Sequence, residues 1–236
     1  APSYAKLYMG WWEEQVAWVG NNEKYMDHVV LWTRFIDDLF IIWDGNKDMA
    51  IEFIENLENE DLNLKFTSVV SSERVEFLDI RVEIINNTIT TKLFRKESAG
   101  NSILHASSSH PVSLINSIPY GELLRAKRNC SNDESFAREG NVMMNRFLKR
   151  GYKPGVIISA KTKVDSTSRH DLLYAQPRKE RGREGKGETI PRFITTFSTE
   201  SGEIRKIMSQ HWKVFKSDRV LGGSLPDTIH VSYRKS

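Results

Sequence analysis

The amino-acid sequence reads as a mixed α+β protein: an antiparallel sheet with a helix packed on it, then a helical region and a small α/β tail. Three observations point there. Two short runs rich in β-branched and aromatic residues, "HVVLWTRF" and "LFIIW", are separated only by "IDD" and read as the strands of one hairpin. Farther on, "SHPVSLINSIPYGELLRAKRNC" and "SNDESFAREGNVMMNRFLKRGY" carry apolar residues at helical spacing. The chain has 236 residues, 39% hydrophobic and 10% aromatic, enough to bury one large core or two modest ones.

Composition narrows the function classes. A formal charge of +3 permits a polyanionic partner without requiring one. Cys130 is the single cysteine, so no internal disulfide can form, and the lack of a Cys/His cluster argues against structural zinc. His105, His110 and His170 have no partner at i, i+4 and read as ordinary polar residues. The longest apolar runs fall far short of the roughly 18 residues that cross a bilayer. The expectation is a soluble, intracellular protein with no membrane partner.

Taken in order, "APSYAKLYMGWWEEQVAWV" opens with apolar spacing already in register and no initiator methionine, which reads as a segment of a longer chain. Tyr4, Leu7, Tyr8, Trp11, Trp12 and Val16 are its expected inner face, with Pro2 and Ser3 in the first turn. Val112, Leu114, Ile115, Ile118, Leu123 and Leu124 predict two helical pieces broken near Pro119 and followed by Arg125, Lys127 and Arg128. Ser131 is the expected N-cap of the next helix, whose buried side is Phe136, Val142, Met143, Phe147 and Leu148, and whose end carries Arg146, Lys149 and Arg150. Hydrophobes then thin out at "DSTSRHDLLYAQPRKERGREGKGET", a flexible basic linker or exposed basic loop. "IPRFITTF" and "DTIHVSYRKS" read as strands around the amphipathic helix "GEIRKIMSQHWKVF", whose apolar side is Ile204, Ile207, Met208, His211, Trp212 and Phe215.

The adjacent acids Asp37 and Asp38 lie where the strand signal is strongest. A two-residue hairpin turn prefers Asn-Gly or Asp-Gly, so Asp-Asp is a poor choice for turning alone. Either the pair is a solvated acidic turn, or it holds a divalent cation whose charge lets both acids stay ionised.

"FIDDLF" resembles the aromatic-x-Asp-Asp box of reverse transcriptases, and the surrounding text is similar to Penelope-like retroelements. "APSYAKLYM" resembles the end of the motif before that box, "MAIEFIENLENEDLNLKFT" the helix-then-strand motif after it, and "VEFLDIRV" the primer-grip hairpin. "SSSHPVSLINSIPYGELLRAKRNCS" and "RFLKRGYKP" are similar to the helical region behind the palm in these elements, sometimes described as a helix-turn-helix domain. The resemblance runs through most of residues 1 to about 155, with a looser echo to the end. Four motifs in the right order weigh far more than a lone Asp-Asp.

The resemblance implies a partial polymerase palm at residues 1–104 and a thumb or helix-turn-helix-like region at 105–165. A basic linker at 166–189 and the α/β tail at 190–236 would follow. It implies RNA-directed DNA synthesis by two metal ions, Mg2+ or Mn2+, on an RNA template and DNA primer with deoxynucleotide triphosphates. Asp37 and Asp38 carry over as metal ligands. Phe35 would lie beneath the primer end, and Lys65 is either the lysine that protonates pyrophosphate or a solvent-facing strand residue. Phe77, Leu78 and Asp79 belong to the grip hairpin, where Asp79 would fix backbone geometry without touching metal. Arg125, Lys127, Arg128, Lys149 and Arg150 would track duplex phosphates, or cap their helix ends. The family's other essential aspartate lies upstream of "APSYA", so the chain as given is expected not to polymerise. A protein of an active element would enter the nucleus at least transiently. The alternative function is a non-catalytic nucleic-acid-binding module that uses the helical region and basic loop.

Overall fold

The computed structural model describes residues 2–58, 62, 64–96, 98, 100–174, 192–198 and 200–233. The chain divides into two compact units, Ala1–Ala99 with Asn129–Phe136, and Gly100–Arg128 with Ala137–Ser236. It is a mixed helix-and-sheet fold with two antiparallel sheets, a helical middle and a parallel pair of strands in the tail.

In the first unit, helix α1 (Pro2–Trp12) runs into a π-helical turn at Glu13–Ala17 and a 3-10 helix at Gly20–His28. Its buried face differs from the expected one: Met9 and Trp12 are buried, whereas Tyr4, Leu7 and Trp11 are exposed. Tyr4, Tyr8 and Trp11 follow at i, i+4, i+7, with Tyr4 stacked on Tyr8 at a centroid distance of 6.4 Å and Trp11 tilted against Tyr8 at 5.9 Å. Trp12 instead meets Trp32 and Phe66 across the core.

Strands β1 (Val29–Phe35) and β2 (Asp38–Trp43) form the expected hairpin, closed by the pair Phe35↔Asp38. Helix α2 (Lys47–Leu57) starts where the Asp48 N–H donates to Asn46 Oδ1, and it buries Ala50, Phe53 and Leu57 at helical spacing. Phe53 and Leu57 join Met9, Trp12, Ala17 and Tyr25 in one cluster. Each large apolar side chain fully buried there contributes about 2 kcal/mol.

The strand expected around Lys65 does not form. Leu64 makes an isolated bridge and residues 65–70 have no regular structure, while 59–61 and 63 lie outside the described residues. Leu62, Leu64 and Phe66 nevertheless pack on the core at alternate positions, so the period-2 pattern survives without a ladder. Next, β3 (Arg74–Phe77), β4 (Ile80–Ile85) and β5 (Thr88–Leu93) make an antiparallel meander. The sequence reading lacks β5. Its turn, Asn86–Asn87, places both residues at positive φ, the type I′ geometry that asparagine tolerates.

The helical region comprises α3 (Val112–Asn129), α4 (Asp133–Lys149) and α5 (Pro154–Asp165). Helix α3 is continuous through Pro119, contrary to the predicted break. Ile115, Pro119, Leu123 and Ala126 form one buried stripe, so burial on both sides holds the two halves in line at the cost of a backbone hydrogen bond. Val112 and Leu114 fall off that stripe and are exposed. In α4 the same geometry buries Phe136, Met143 and Phe147 and exposes Val142 and Leu148, each one position out of phase. The N-cap of α4 is Asn132, whose Oδ1 accepts from the Ser135 N–H. Ser131 is engaged with β5, through its N–H to the Thr91 carbonyl and its Oγ accepting from the Thr91 N–H.

Helix α4 ends in a Schellman motif. Tyr152 N–H donates to the Phe147 carbonyl and Gly151 N–H to that of Leu148, with Gly151 at φ 78°. The Phe147 and Tyr152 rings meet edge-on at 5.6 Å, supplying the hydrophobic contact of that motif.

Helix α6 (Arg169–Tyr174) occupies part of the segment expected to be flexible linker, whose residues 175–189 lie outside the described residues. In the tail, β6 (Arg192–Thr195) and β7 (His230–Tyr233) pair in parallel, and α7 (Ser201–Lys216) lies between them in sequence, as parallel strands require. Ile190, Pro191 and residues 234–236 are outside the described residues. Trp212 is buried, whereas Ile207, His211 and Phe215 of the predicted apolar side are exposed.

Gly151→Ala tests the helix end. An added Cβ would be strained at this φ and lie 3.3 Å from His105 Cε1. Urea unfolding should show a loss of about 1–2 kcal/mol.

Candidate functional site

The Asp-Asp hairpin turns at Ile36 and Asp37, not at the two acids. Ile36 takes φ 60° and Asp37 does not share it, the pattern of a type II′ turn, which favours glycine at that first position. A β-branched residue there is strained, and the strain is braced from below. Arg34 Nη1 donates to the Ile36 carbonyl at 2.7 Å, while its Nε and Nη2 each donate to the Glu13 carboxylate at 2.9 Å. Trp32 Nε1 donates to the same carboxylate at 2.8 Å. The Arg34 and Glu13 side chains are only 12% and 18% exposed. Burial pushes the Glu13 carboxyl upward, but hydrogen bonds from Arg34 and Trp32 and the guanidinium charge outweigh it, so its pKa lies below the ordinary value.

Above this brace Asp37 and Asp38 are exposed, as is Phe35 at 56%. Among the described residues no group of three His, Cys, Asp or Glu side chains could hold a metal ion. Two carboxylates fit a hard divalent cation as part of its oxygen shell and do not complete it. Lys65 is exposed in the irregular segment.

The second hairpin repeats the first one's chemistry. Leu78 takes φ 56° between Phe77 and Asp79, and Phe77↔Ile80 closes the turn. Phe77 and Phe40 have ring centroids 5.3 Å apart, so the two hairpins touch through aromatic rings. The Asp79 carbonyl accepts from the Phe94 N–H, and its carboxylate accepts from Asn129 Nδ2 at 3.5 Å.

In the helical region, Arg125, Arg128 and Lys149 are exposed, and Lys127 and Arg150 half-buried. Residues 102–162 hold nine Lys and Arg against four Asp and Glu, a net of +5, whereas the whole chain carries +3. The exposed face of α5 includes Gly155, Ser159, Thr162 and Lys163. Burial raises the Tyr152 hydroxyl pKa, so it stays protonated and donates to the Leu104 carbonyl at 3.0 Å.

Residues 102–162 match the animal helix-turn-helix domain. The match spans α3, α4 and most of α5, close to the region where the resemblance placed such a domain, and it does not reach residues 1–101. Comparison with curated proteins and with solved structures gives no match. No described helix is long and apolar enough to cross a membrane.

Sequence reasoning missed Glu13, Trp32 and Arg34. A cation inside "LWTRFIDD" was the available signal, but its partner is 21 residues away.

Removing that partner should be costly. Glu13→Ala leaves a largely buried guanidinium uncompensated and should lower stability by about 3 kcal/mol. Because the folded-state pKa of Glu13 is depressed, its contribution is present above the unfolded-state value and lost as pH falls through the folded one. Glu13→Gln should therefore flatten the fall of Tm on acidification below about pH 4.5.

Proposed function

We propose that the chain binds nucleic acid through residues 102–162, and that its first 101 residues belong to the palm of an RNA-directed DNA polymerase. The observation that carries the first part is the helix-turn-helix match together with the +5 charge on the matched segment. Helices that expose Arg125, Arg128 and Lys149 suit phosphate tracking, in which cations displace condensed counterions from a duplex.

The polymerase part is favoured by the Asp-Asp hairpin. A strained isoleucine held by a buried ion pair is an expensive way to turn a chain, and it presents two carboxylates to solvent. A bound Mg2+ or Mn2+ would supply Lewis acidity at a primer 3′ hydroxyl. Asp37 and Asp38 would contribute ligands, Phe35 an apolar surface beside them, and Lys65 a proton donor. With two carboxylates, this chain alone should extend a primer no faster than background. A non-catalytic binding module is the second reading, and it gives the hairpin no metal.

Fluorescence anisotropy with an RNA template annealed to a DNA primer separates these readings. The wild type should bind, with log K falling linearly against log salt, and Lys149→Gln with Arg150→Gln should flatten that slope by about two. Asp37→Ala with Asp38→Ala should leave duplex binding unchanged and abolish millimolar Mn2+ binding. No duplex binding at low salt refutes the first part. Duplex binding without any Mn2+ binding leaves only the module.

A further inference from the structure

We infer that the second unit carries a dedicated site for one backbone phosphate, in the cavity between the loop before α3 and the start of α5. This deepens the nucleic-acid reading and rests on it. The cavity is about 550 Å3. His105, Ser107, Ser108, His110, Asn116 and Lys153 supply its polar lining, and no carboxylate is among its walls. A hollow of about 390 Å3 in the first unit is walled mainly by apolar side chains, with Lys47 its charged member, and offers no comparable set of donors.

The lining is arranged to donate. Ser107 N–H donates to His105 Nδ1 at 3.2 Å, and Ser107 Oγ lies 2.7 Å from the same nitrogen. Nδ1 is thereby the acceptor, which puts the proton of the neutral ring on Nε2 and makes that atom a donor to an anion. His110 Nδ1 lies 2.9 Å from Ser108 Oγ, a hydroxyl that can donate or accept, so the ring is held in place with either nitrogen able to carry the proton. With both Nδ1 atoms engaged by serines and no third ligand, the pair suits an anion better than a metal ion. Lys153 makes no ion pair among the described residues, so its charge is available. It is also the N-cap of α5, a helix whose start has no side-chain cap and whose dipole adds to the same positive potential.

The backbone holds the cavity's shape. Ala106 N–H donates to the Arg150 carbonyl at 2.9 Å, which ties the serine loop to the end of α4. The His105 ring lies over Gly151, where a side chain would crowd it. Loop, histidine and lysine thus come to one place although 48 residues separate His105 from Lys153. The occupant that fits is an internal phosphodiester of a strand already held by the exposed cations of the helical region.

The test uses the full chain. Inorganic phosphate at millimolar concentration should shift the amide resonances of Ser107, Ser108 and Lys153 in 1H–15N spectra. Lys153→Gln should weaken duplex binding by about threefold to tenfold and flatten the salt slope by about one, and adding His105→Ala should weaken it further. Lys47→Gln, in the apolar hollow, should change neither. Equal affinity for duplexes with and without a 5′-phosphate supports an internal phosphodiester; a tenfold preference for the phosphorylated end overturns it. Wild-type binding unaltered in slope and strength by Lys153→Gln overturns the site while leaving the proposed function standing. If the wild type binds no duplex, the proposed function and the backbone phosphate fall together, and phosphate-induced shifts would then mark a site for a free anion.

Discussion

The buried fork of Arg34 is the interaction on which the first unit's chemistry depends. One side chain satisfies three acceptors: the two oxygens of Glu13 and the carbonyl of Ile36. Holding a β-branched residue at positive φ costs about 1–2 kcal/mol, which an isolated two-stranded hairpin could not sustain. Here the turn is fixed from outside its own strands, because Glu13 lies in the π-helical turn that follows α1. That places the brace at a junction of helix and sheet, beside Trp12 and Trp32 of the aromatic core. The direction in which Asp37 and Asp38 project is therefore set by long-range packing. The turn residues alone do not determine it.

The helical region reaches similar definition by other means. Its helices are phased by single buried stripes, and the link between α4 and α5 is closed by two backbone hydrogen bonds and one pair of rings. Positive φ falls here on Gly151, which bears it without strain. The contrast is informative. Where the chain needs only a tight connection it uses glycine or asparagine, as at Gly151 and Asn86–Asn87, and at the two Phe-x-Asp turns it uses isoleucine and leucine supported by neighbours. The support at Asp79 includes a backbone hydrogen bond from Phe94 and a longer one from Asn129.

Local signals were legible in the sequence, and those that needed partners were not. The hairpin, α2 and the helices around residues 112–149 followed from periodicity. Pro119 did not break α3, because local propensity lost to burial on a stripe that includes the proline itself. Ser131 and Asn132 are both competent caps, and β5 took the serine, which no local rule could foresee. Tyr4, Leu7 and Trp11 were assigned to the core by spacing alone; Tyr4 and Trp11 instead flank Tyr8, which alone of that row packs on the core, and Leu7 is exposed. Of the site, Asp37 and Asp38 stood out from the residues alone. Glu13 and Arg34 did not, and neither did the meeting of His105 with Lys153.

Charge ties the two halves of the functional reading together. The segment 102–162 carries +5 of a chain that totals +3, so the remainder is net negative by two. Under the proposed function, electrostatic steering of a polyanion would act through the helical region, and Asp37 and Asp38 would work against it. Two exposed carboxylates repel a phosphate backbone unless a cation stands between them. Under the proposed nucleic-acid reading, a bound strand would have to avoid that tip or meet it through a divalent ion. The guanidinium charge of Arg34 is engaged by Glu13 inside the protein, so it holds the tip in place without neutralising it.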